Sequence, residues 1–395
     1  MGRKPHGLLL LFEGLPATVI QSQVLARVEW IESNAIATFD IFAFAHSRSL
    51  YQTSAERLTA LPVELRQKIK LFRSFKPALP GSRKLNRGRL RNCIGSWRAY
   101  DFIQARGDYA AAVAGPLAQA QNLPMIWDCR GDAEAEFLDR LGKQGKIGPI
   151  IRWRARSLMQ DGCIASRTST AASFVSQPLK KKWQSRLGTK AAYVIPCVAD
   201  ERVFFFDAGL RIATRRRLGY SPTDTVLVFS GSLNFYQGFD LLASWFKREA
   251  AKIPTLHLLV VTPSIEEARS LLSSADLSRI KVTSAPFADV NGYLNAADFG
   301  FMMRPQSETN QSAFPTKFAE YGLTGLPTIV GPTVPDCYDF ARKAGNLMPL
   351  TAGGEEFLRP RPDRNAIMSR YVAGLTHTGC EQQIRDLYRG IIRTG

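Results

Sequence analysis

The sequence predicts an α/β protein of two domains, each with a mainly parallel β-sheet. Its 395 residues exceed the size of one typical domain, which is about 150 residues. Short apolar runs bounded by Gly, Pro or Asp alternate with amphipathic stretches along the chain. This pattern is typical of buried strands joined by helical crossovers. Strand signals stop near the middle of the chain and restart at Val226, which indicates two separate sheets.

The predicted strands are short apolar runs that suit burial on both faces of a sheet. In the first half they are Leu8–Phe12, Phe39–Phe44, Pro124–Asp128, Cys163–Ser166 and Tyr193–Ile195; in the second half they are Val226–Ser230, Leu256–Val261, Ile280–Val282, Asp298–Met302 and Pro327–Val330. Amphipathic spacing predicts helices at Ser22–Glu32, Phe239–Lys252 and Glu266–Ser274.

The break between the two strand series sets the expected domain limits. Ile195-Pro196 ends one strand, and the arginine-rich stretch that follows carries no strand signal. We expect a first domain over 1–200, a linker over 201–221 and a second domain over 222–375. The last segment, 376–395, is predicted to form a helix that packs back toward the first domain.

Composition excludes several classes of protein. With 45% hydrophobic and 22% charged residues, the chain is not disordered as a whole. No apolar run reaches the roughly 18–20 residues that a membrane-spanning helix needs. Glu13 and Gly14 follow the early leucine run, so we expect no signal peptide. Six separated cysteines without a Cys-x-x-Cys pair argue against a zinc site or disulfide scaffold and favour a cytoplasmic location.

Net charge is the unusual bulk property. The formal charge of +18 indicates an anionic partner: nucleic acid, a phosphorylated substrate or an acidic membrane surface. The stretch from Arg66 to Arg106 contains twelve Lys or Arg and one acid. Leu65–Lys76 has helical spacing and predicts a basic amphipathic helix, suited to peripheral contact with an anionic membrane. The alternative is a helix that packs on the core and has solvated charges.

The stretch from Ser312 to Val330 carries the most chemistry. Pro315 suits the first position of a helix, and Gly325 suits its left-handed end. The free N–H groups around Thr316 and Lys317 predict an anion site, to which the lysine adds a full charge. Glu320 follows on the same face and can accept hydrogen bonds from sugar hydroxyls. The alternative is an ordinary capped helix with a surface Lys–Glu pair.

The sequence Pro-Thr-Lys-Phe-Ala-Glu-Tyr at 315–321 resembles the donor-site helix of glycosyltransferase family 4, the retaining GT-B enzymes. Three other segments resemble family segments in the expected order. They are 193–200, with Ile195-Pro196; 229–242, with its glycine loop; and 293–300, the strand entry before the donor helix. The resemblance is strong over 190–335, weaker before it and nearly absent after 350.

The resemblance implies two Rossmann-like domains that face a central cleft, with the acceptor on the first domain and a UDP- or GDP-linked sugar on the second. It implies retaining transfer to a saccharide or lipid-linked acceptor, in bacterial surface-polysaccharide synthesis, without a cofactor or metal. Glu320 would bind the ribose, and the amides of Thr316 and Lys317 would face the diphosphate. Gly231 would let the backbone approach the phosphates, and Gly14 would lie near them.

Three positions depart from the family pattern. Ser312 stands where many members have the first of two acids, so Glu320 alone remains. Ser232 and Gln237 stand where a basic pair commonly grips the diphosphate. Charge on the departing diphosphate would therefore be met by Lys317, by Arg304 or by an arginine of the first domain.

Asp128 and Arg130 are the candidate catalytic residues of the first domain, beside Lys317 in the second. They lie in Trp127-Asp-Cys-Arg-Gly-Asp132 at the end of a predicted strand, where α/β proteins place functional side chains. Asp128 could polarise the acceptor hydroxyl and Arg130 could neutralise phosphate charge. Equally, the two could form an ion pair that fixes the loop. The four histidines show no metal-ligand spacing.

Two other function classes remain open. The neutral residues at Ser232, Gln237 and Ser312 suit a catalytically silent family member that acts as a partner subunit. The charge of +18 alone suggests a nucleic-acid-binding protein. Against the latter, the basic stretch lacks the interleaved aromatic residues of RNA-binding sheets, and no helix-turn-helix or zinc spacing is present.

Overall fold

A computed structural model of the protein describes residues 3–15, 20–77, 79–142, 148–273, 275–348 and 362–392. The chain divides into two compact units, Met1–Pro196 with Glu381–Gly395, and Cys197–Cys380. Each unit is built on its own parallel sheet.

Seven parallel strands form the first unit's sheet within the described residues. They are β1 (His6–Leu11), β2 (Thr38–Ala45), β3 (Ile69–Arg73), β4 (Phe102–Arg106), β5 (Met125–Cys129), β6 (Ala171–Phe174) and β7 (Ala191–Val194). Their order is β3-β2-β1-β4-β5-β6-β7, so the order reverses between β1 and β4. Leu8, Leu10 and Leu11 of the central strand β1 have no exposed surface, as expected for a strand covered on both faces.

The helices of the first unit fill the crossovers between these strands. A π-helical turn at Ile20–Leu25 leads into α1 (Ala26–Ser33); it is followed by α2 (Arg48–Thr59), α3 (Val63–Lys68), α4 (Ser82–Cys93), α5 (Asp108–Ala120), α6 (Ala133–Gly142), α7 (Pro149–Thr168) and α8 (Gln177–Leu187). The small residues of α5, from Ala110 to Ala114, are buried and let α7 pack closely against it.

The second unit's sheet has six parallel strands in the part of the chain that is described. They are β8 (Thr225–Ser230), β9 (Leu256–Val261), β10 (Ile280–Thr283), β11 (Phe299–Phe301), β12 (Thr328–Ile329) and β13 (Leu347–Met348). The order β10-β9-β8-β11-β12-β13 reverses between β8 and β11. Leu227 and Phe229 of β8 belong to a buried apolar cluster with Phe246 and Leu258.

The helices of the second unit are α9 (Ala208–Leu218), α10 (Phe239–Ala250), α11 (Ile265–Leu271), α12 (Val290–Ala296), α13 (Glu308–Ser312), α14 (Thr316–Leu323), α15 (Pro335–Ala344) and α16 (Arg364–Leu375). The segment predicted as a linker thus contains α9, which packs on α12 inside this unit. Arg211 and Arg215 of α9 form ion pairs with the buried Asp298, at 2.6 and 3.3 Å.

The chain returns to the first unit at its end. Helix α17 (Glu381–Ile392) packs on β6 and β7. Its Tyr388 is buried against the rings of Phe39 and Phe102, and its hydroxyl donates a hydrogen bond to Gln104 at 2.5 Å. The last residues of the predicted helix, 393–395, lie outside the described residues.

The predicted α/β class and two parallel sheets are confirmed, whereas some local predictions are wrong. The predicted strand Cys163–Ser166 lies inside α7. An apolar run this short fits a strand and a buried helix segment equally well, so the sequence could not distinguish them. The predicted helix Leu65–Lys76 is the short helix α3 followed by strand β3. Strands β4 and β6 were not predicted; β4 includes the buried polar Gln104, and β6 is only four residues long.

Candidate functional site

The second unit's site lies where its strand order reverses. Open parallel sheets bind ligands at such a reversal, at the carboxyl ends of the strands. Gly231 follows β8 and Arg304 follows β11, and these two strands are neighbours. The sequence therefore brings two of its predicted donor-site residues to the position that the topology favours.

Gly231 adopts a backbone conformation that other residues rarely take, with φ of +114°. Its N–H donates to the carbonyl of Val261 at 2.9 Å. A Cβ atom placed on it would lie 3.5 Å from Nζ of Lys317, so the lysine ammonium lies against this glycine turn. The structure thus brings the predicted glycine turn and the predicted anion-binding lysine together.

Lys317 is held there by helix α14, whose limits agree with those predicted to within one residue. Pro315 is the N-cap, so the helix begins one residue later than predicted, at Thr316. Gly325 follows the helix with φ of +70°. A side chain at Gly325 would also clash with the carbonyl oxygen of Arg364, at 2.5 Å. The hydroxyl of Tyr321 accepts a hydrogen bond from the N–H of Ser230 at 2.9 Å, which ties α14 to the end of β8.

The ammonium of Lys317 is buried without a paired carboxylate. The residue is 8% exposed, and Nζ lies 4.0 Å from the centroid of the Phe229 ring. Among the described residues, it forms no ion pair and no hydrogen bond through its side chain. Burial, with the nearby positive charge of Arg304, holds the pKa of Lys317 well below its usual range, although the charge of Glu320 opposes the shift.

Arg304 is a second buried cation, 5% exposed, and its side chain donates hydrogen bonds only to neutral amides within the described residues. Its guanidinium donates to Oδ1 of Asn310 at 3.2 Å and to Oε1 of Gln237 at 2.8 Å. Its Nε atom is buried and has no hydrogen-bond partner within the described part of the chain. Burial lowers the pKa of Arg304 to about 10. Two buried cations without an ion-pair partner are costly, and an anionic ligand would remove that cost.

Glu320 lies three residues after Lys317 on α14 and is partly exposed. Burial raises the pKa of Glu320 to about 7, although the charge of Lys317 opposes the shift. Its carboxylate forms no hydrogen bond or ion pair within the described residues, so its oxygens can accept hydrogen bonds from a ligand.

The other predicted donor-site residues differ in what their side chains do. Gln237 supports Arg304, and Ser232 accepts a hydrogen bond from Asn234 at 3.1 Å. The hydroxyl of Ser312 donates to the carbonyl of Glu308 within its own helix, at 2.9 Å. Thr316, the first residue of α14, is partly exposed, with its backbone N–H among those that a helix leaves free.

Asn310 and Tyr236 belong to this site and were not predicted. Asn310 has no exposed surface; it accepts from Arg304 and donates to the carbonyl oxygens of Tyr236 and Pro305. The guanidinium of Arg304 lies 5.6 Å from the centroid of the Tyr236 ring. Asn310 stands in the polar stretch Ser-Glu-Thr-Asn-Gln-Ser, where nothing in the sequence predicts a buried side chain. Its contact with Arg304 is therefore seen only in the structure.

In the first unit, Asp128 lies near the end of β5, where the charges of Arg27, Arg106 and Arg130 act on it. It is 4% exposed, accepts from Ser173 at 2.8 Å, and lies 3.7 Å from Arg27 and 3.6 Å from Arg130. Burial alone would raise its pKa, but the charges of the arginines hold the pKa of Asp128 below its usual range. These contacts favour the alternative in which Asp128 forms an ion pair that fixes the loop, rather than acting as a general base. Polarisation of the acceptor hydroxyl by Asp128 stays a prediction.

Gln23 belongs to the cluster around Asp128, whereas Gly14 lies against other residues. Arg130 donates to Oε1 of Gln23 at 2.7 Å, and Gln23 is buried. Gly14 is also buried; its φ is +66° and its N–H donates to Phe44. Residues 16–19, which follow it closely in the chain, lie outside the described residues.

The described part of the chain contains neither a metal-ligand cluster nor a membrane-spanning helix. No group of three or more His, Cys, Asp or Glu side chains there could hold a metal ion. No described helix is both long enough and apolar enough to cross a membrane. The basic stretch from Arg66 to Arg106 contains the edge strand β3 and helix α4, so the amphipathic helix on which its membrane contact was predicted is not present. That contact stays a prediction.

Comparison with known proteins identifies similar folds. Neither a protein-family model nor a curated protein sequence matches the chain. Sucrose-phosphate synthase from Thermosynechococcus elongatus is similar with a TM-score of 0.66 and 13% identity, covering 99% of this chain and 100% of that one. Anabaena HepE in complex with UDP-glucose has a TM-score of 0.60 and 14% identity, covering 99% and 95%. WaaG, a glycosyltransferase involved in lipopolysaccharide biosynthesis, has a TM-score of 0.60 and 11% identity, covering 98% and 94%.

These similarities extend over nearly the whole chain and include both sheets. At such low identity they establish the fold and not the activity. The two parallel α/β units and these neighbours show that the chain has the GT-B fold.

Proposed function

We propose that this protein is a glycosyltransferase that transfers a sugar from a nucleoside-diphosphate donor, UDP- or GDP-linked. The observation that carries the proposal is the pair of buried cations, Lys317 and Arg304, at the strand reversal of the second unit. Neither forms an ion pair with a described carboxylate. A diphosphate is the ligand class that would neutralise both. Anabaena HepE, a neighbour in fold, was determined with UDP-glucose.

The chemistry assigns different tasks to the residues of the site. Lys317, with the free N–H groups at the start of α14, would stabilise the charge that grows on the diphosphate as the sugar departs. Arg304 would contact the same group, oriented by Gln237 and Asn310. Glu320 would accept hydrogen bonds from the ribose hydroxyls. Because protein cations supply the positive charge, the transfer would need no divalent metal and no cofactor.

The finer proposal is retaining transfer to a saccharide or lipid-linked acceptor in surface-polysaccharide biosynthesis, as in glycosyltransferase family 4. It rests on the resemblance of residues 315–321 and on the neighbour WaaG, which is involved in lipopolysaccharide biosynthesis. The anomeric configuration of the product, read by NMR against that of the donor, would test the retaining mechanism.

A screen of UDP- and GDP-sugars for binding, hydrolysis and transfer tests the proposed activity. An active enzyme releases UDP or GDP with at least one donor and a suitable acceptor. A catalytically silent partner subunit would bind a donor without turning it over. A nucleic-acid-binding protein would bind oligonucleotides and ignore every donor, which would refute the proposal.

A further inference from the structure

A basic pocket lies in the first unit, between the start of α4 and one face of α7. Its volume is about 470 Å³. Four of its lining side chains are cationic, namely Arg83, Lys84, Arg87 and Arg156, and none of the described residues that line it is acidic. This pocket shares no residue with the site in the second unit.

The chain topology places this pocket in a position that suits a ligand. Helix α4 follows β3 through residues that include Leu79 and Gly81, both of which line the pocket. The start of α4 therefore lies on the side of the sheet where its strands have their carboxyl ends. Parallel α/β sheets bind ligands on this side.

The four cations fall into two pairs with different tasks. Arg83 forms an ion pair with the buried Asp161, from Nε to Oδ1 at 2.7 Å, and Arg87 donates to the carbonyl of Ala112 at 3.2 Å. These two form the wall of the pocket. Lys84 and Arg156 are exposed, and neither side chain forms a hydrogen bond or ion pair within the described residues. Their charges are therefore available to a ligand.

The positive charge of the wall is only partly compensated. Burial and the charges of Arg83 and Arg91 lower the pKa of Arg87. Asp161 balances one of the cations that line the pocket. An anion in the pocket would reduce the repulsion that remains.

An exposed aromatic ring adjoins these cations. Trp153 lines the pocket and is 42% exposed, and Leu79, on the opposite side, is 53% exposed. Large apolar side chains left exposed together mark binding surfaces. An indole offers a flat apolar face and a polar N–H, which suits the C–H face and the hydroxyls of a sugar ring.

We propose that this pocket binds an anionic saccharide, a sugar that carries carboxylate or phosphate groups, with Lys84 and Arg156 on the anion and Trp153 against the ring. In the proposed transfer reaction this saccharide is the acceptor, so that assignment rests on the proposed function. Binding itself does not, because the pocket and the donor site share no residue. Because the four cations line one concave pocket, the site suits a small ligand better than a membrane, which contacts a flat or convex surface.

The test is a calorimetric titration of the full chain, without donor, using a hyaluronan tetrasaccharide and glucose 6-phosphate as probes. Maltotetraose is the neutral control. At least one anionic probe should bind, more weakly at high salt, and maltotetraose should bind at least tenfold more weakly. The double substitution Lys84→Gln with Arg156→Gln should weaken binding by about tenfold or more, since each charge-assisted contact contributes appreciably.

The matched control removes two charges from the same unit outside the pocket. Arg66 and Arg98 are exposed and do not line it, so Arg66→Gln with Arg98→Gln should change affinity less than about threefold, through the loss of screened long-range attraction alone. If the probe changes the fluorescence of Trp153, Trp153→Phe should abolish that change. The phenylalanine ring should still pack against the sugar, so binding itself should persist.

Three results would overturn this proposal. The first is failure of both anionic saccharides to bind. The second is equal loss of affinity in the pocket variant and in the control variant. The third is binding to vesicles of phosphatidylglycerol, sensitive to Lys84 and Arg156, with no saccharide binding; it would assign the surface to a membrane. Saccharide binding without any donor binding would support the pocket and refute the proposed transferase.

Discussion

Lys317→Met exchanges a buried ammonium for an apolar side chain of similar length. In the ligand-free protein, that ammonium lies over the Phe229 ring and forms no ion pair with a described residue. Replacing a buried ion pair with apolar groups of similar volume often stabilises a protein by about 1–4 kcal/mol. A buried charge without a partner is costlier still, so the same direction holds here. We therefore expect Lys317→Met to raise the free energy of unfolding.

The same substitution should impair donor use. A hydrogen bond between charged groups contributes about 1.5–3 kcal/mol, so the dissociation constant of the donor should rise roughly ten- to a hundredfold. Turnover should fall further, by about a hundredfold or more, because negative charge on the diphosphate grows in the transition state. An increase in stability together with a decrease in activity is the result expected when a buried cation serves to bind an anionic ligand.

The pH dependence of the free energy of unfolding tests independently whether the buried Lys317 charge destabilises the protein. Because the pKa of Lys317 is lowered by folding, the unfolded chain binds more protons between that lowered value and the ordinary value of 10.5. The free energy of unfolding should therefore rise with pH across this window, and Lys317→Met should lack this contribution.

Chemical denaturation at several pH values, together with single-turnover transfer, measures these effects. Lys247→Met on α10, which removes an exposed charge, is the matched control and should change neither property appreciably. A Lys317→Met protein that is less stable than the wild type, or that transfers sugar at the wild-type rate, would refute the reasoning.

The remaining predictions concern the same site. Glu320→Ala should weaken donor binding roughly ten- to a hundredfold. Because the pKa of Glu320 is about 7, donor affinity should fall as the pH drops through 7, and Glu320→Gln should remove that dependence in a calorimetric pH series. Arg304→Met should weaken donor binding more than Gln237→Ala or Ser232→Ala, as titrations of the three variants would show. Gly325→Ala should lower the denaturation midpoint, since φ is +70° and no space is available for Cβ. Transfer should persist in EDTA; complete loss of activity there would contradict the proposed metal independence.

Helix α14 was predictable because its signals are local. Pro315 and Gly325 set the ends of α14, and each acts through its own backbone preference, which sequence alone specifies. The strand ends at Ser230 and Phe301 were predicted to within one residue for the same reason, since the apolar runs there are bounded by Gly, Asp or Arg. The reversal of strand order that joins these ends required the fold.

Other features depend on packing that the sequence does not encode locally. Leu65, Ile69 and Phe72 have helical spacing, yet Ile69 and Phe72 lie in β3, because pairing with β2 outweighs the local pattern. The support of Arg304 by Asn310 and Gln237 joins residues up to 67 positions apart. The burial of Asp128 among arginines likewise arises from separate crossovers of the first unit.

The central claim is that Lys317 and Arg304 bind a diphosphate, and the most direct measurement compares nucleotide with nucleoside. Calorimetric titrations of UDP against uridine, and of GDP against guanosine, isolate the contribution of the diphosphate. We expect one diphosphate to bind at least a hundredfold more tightly than its nucleoside, since two charged contacts contribute about 3 kcal/mol or more. In the double variant Arg304→Met with Lys317→Met, this difference should largely disappear. Equal affinities for nucleotide and nucleoside in the wild type, or an undiminished difference in the double variant, would contradict the claim.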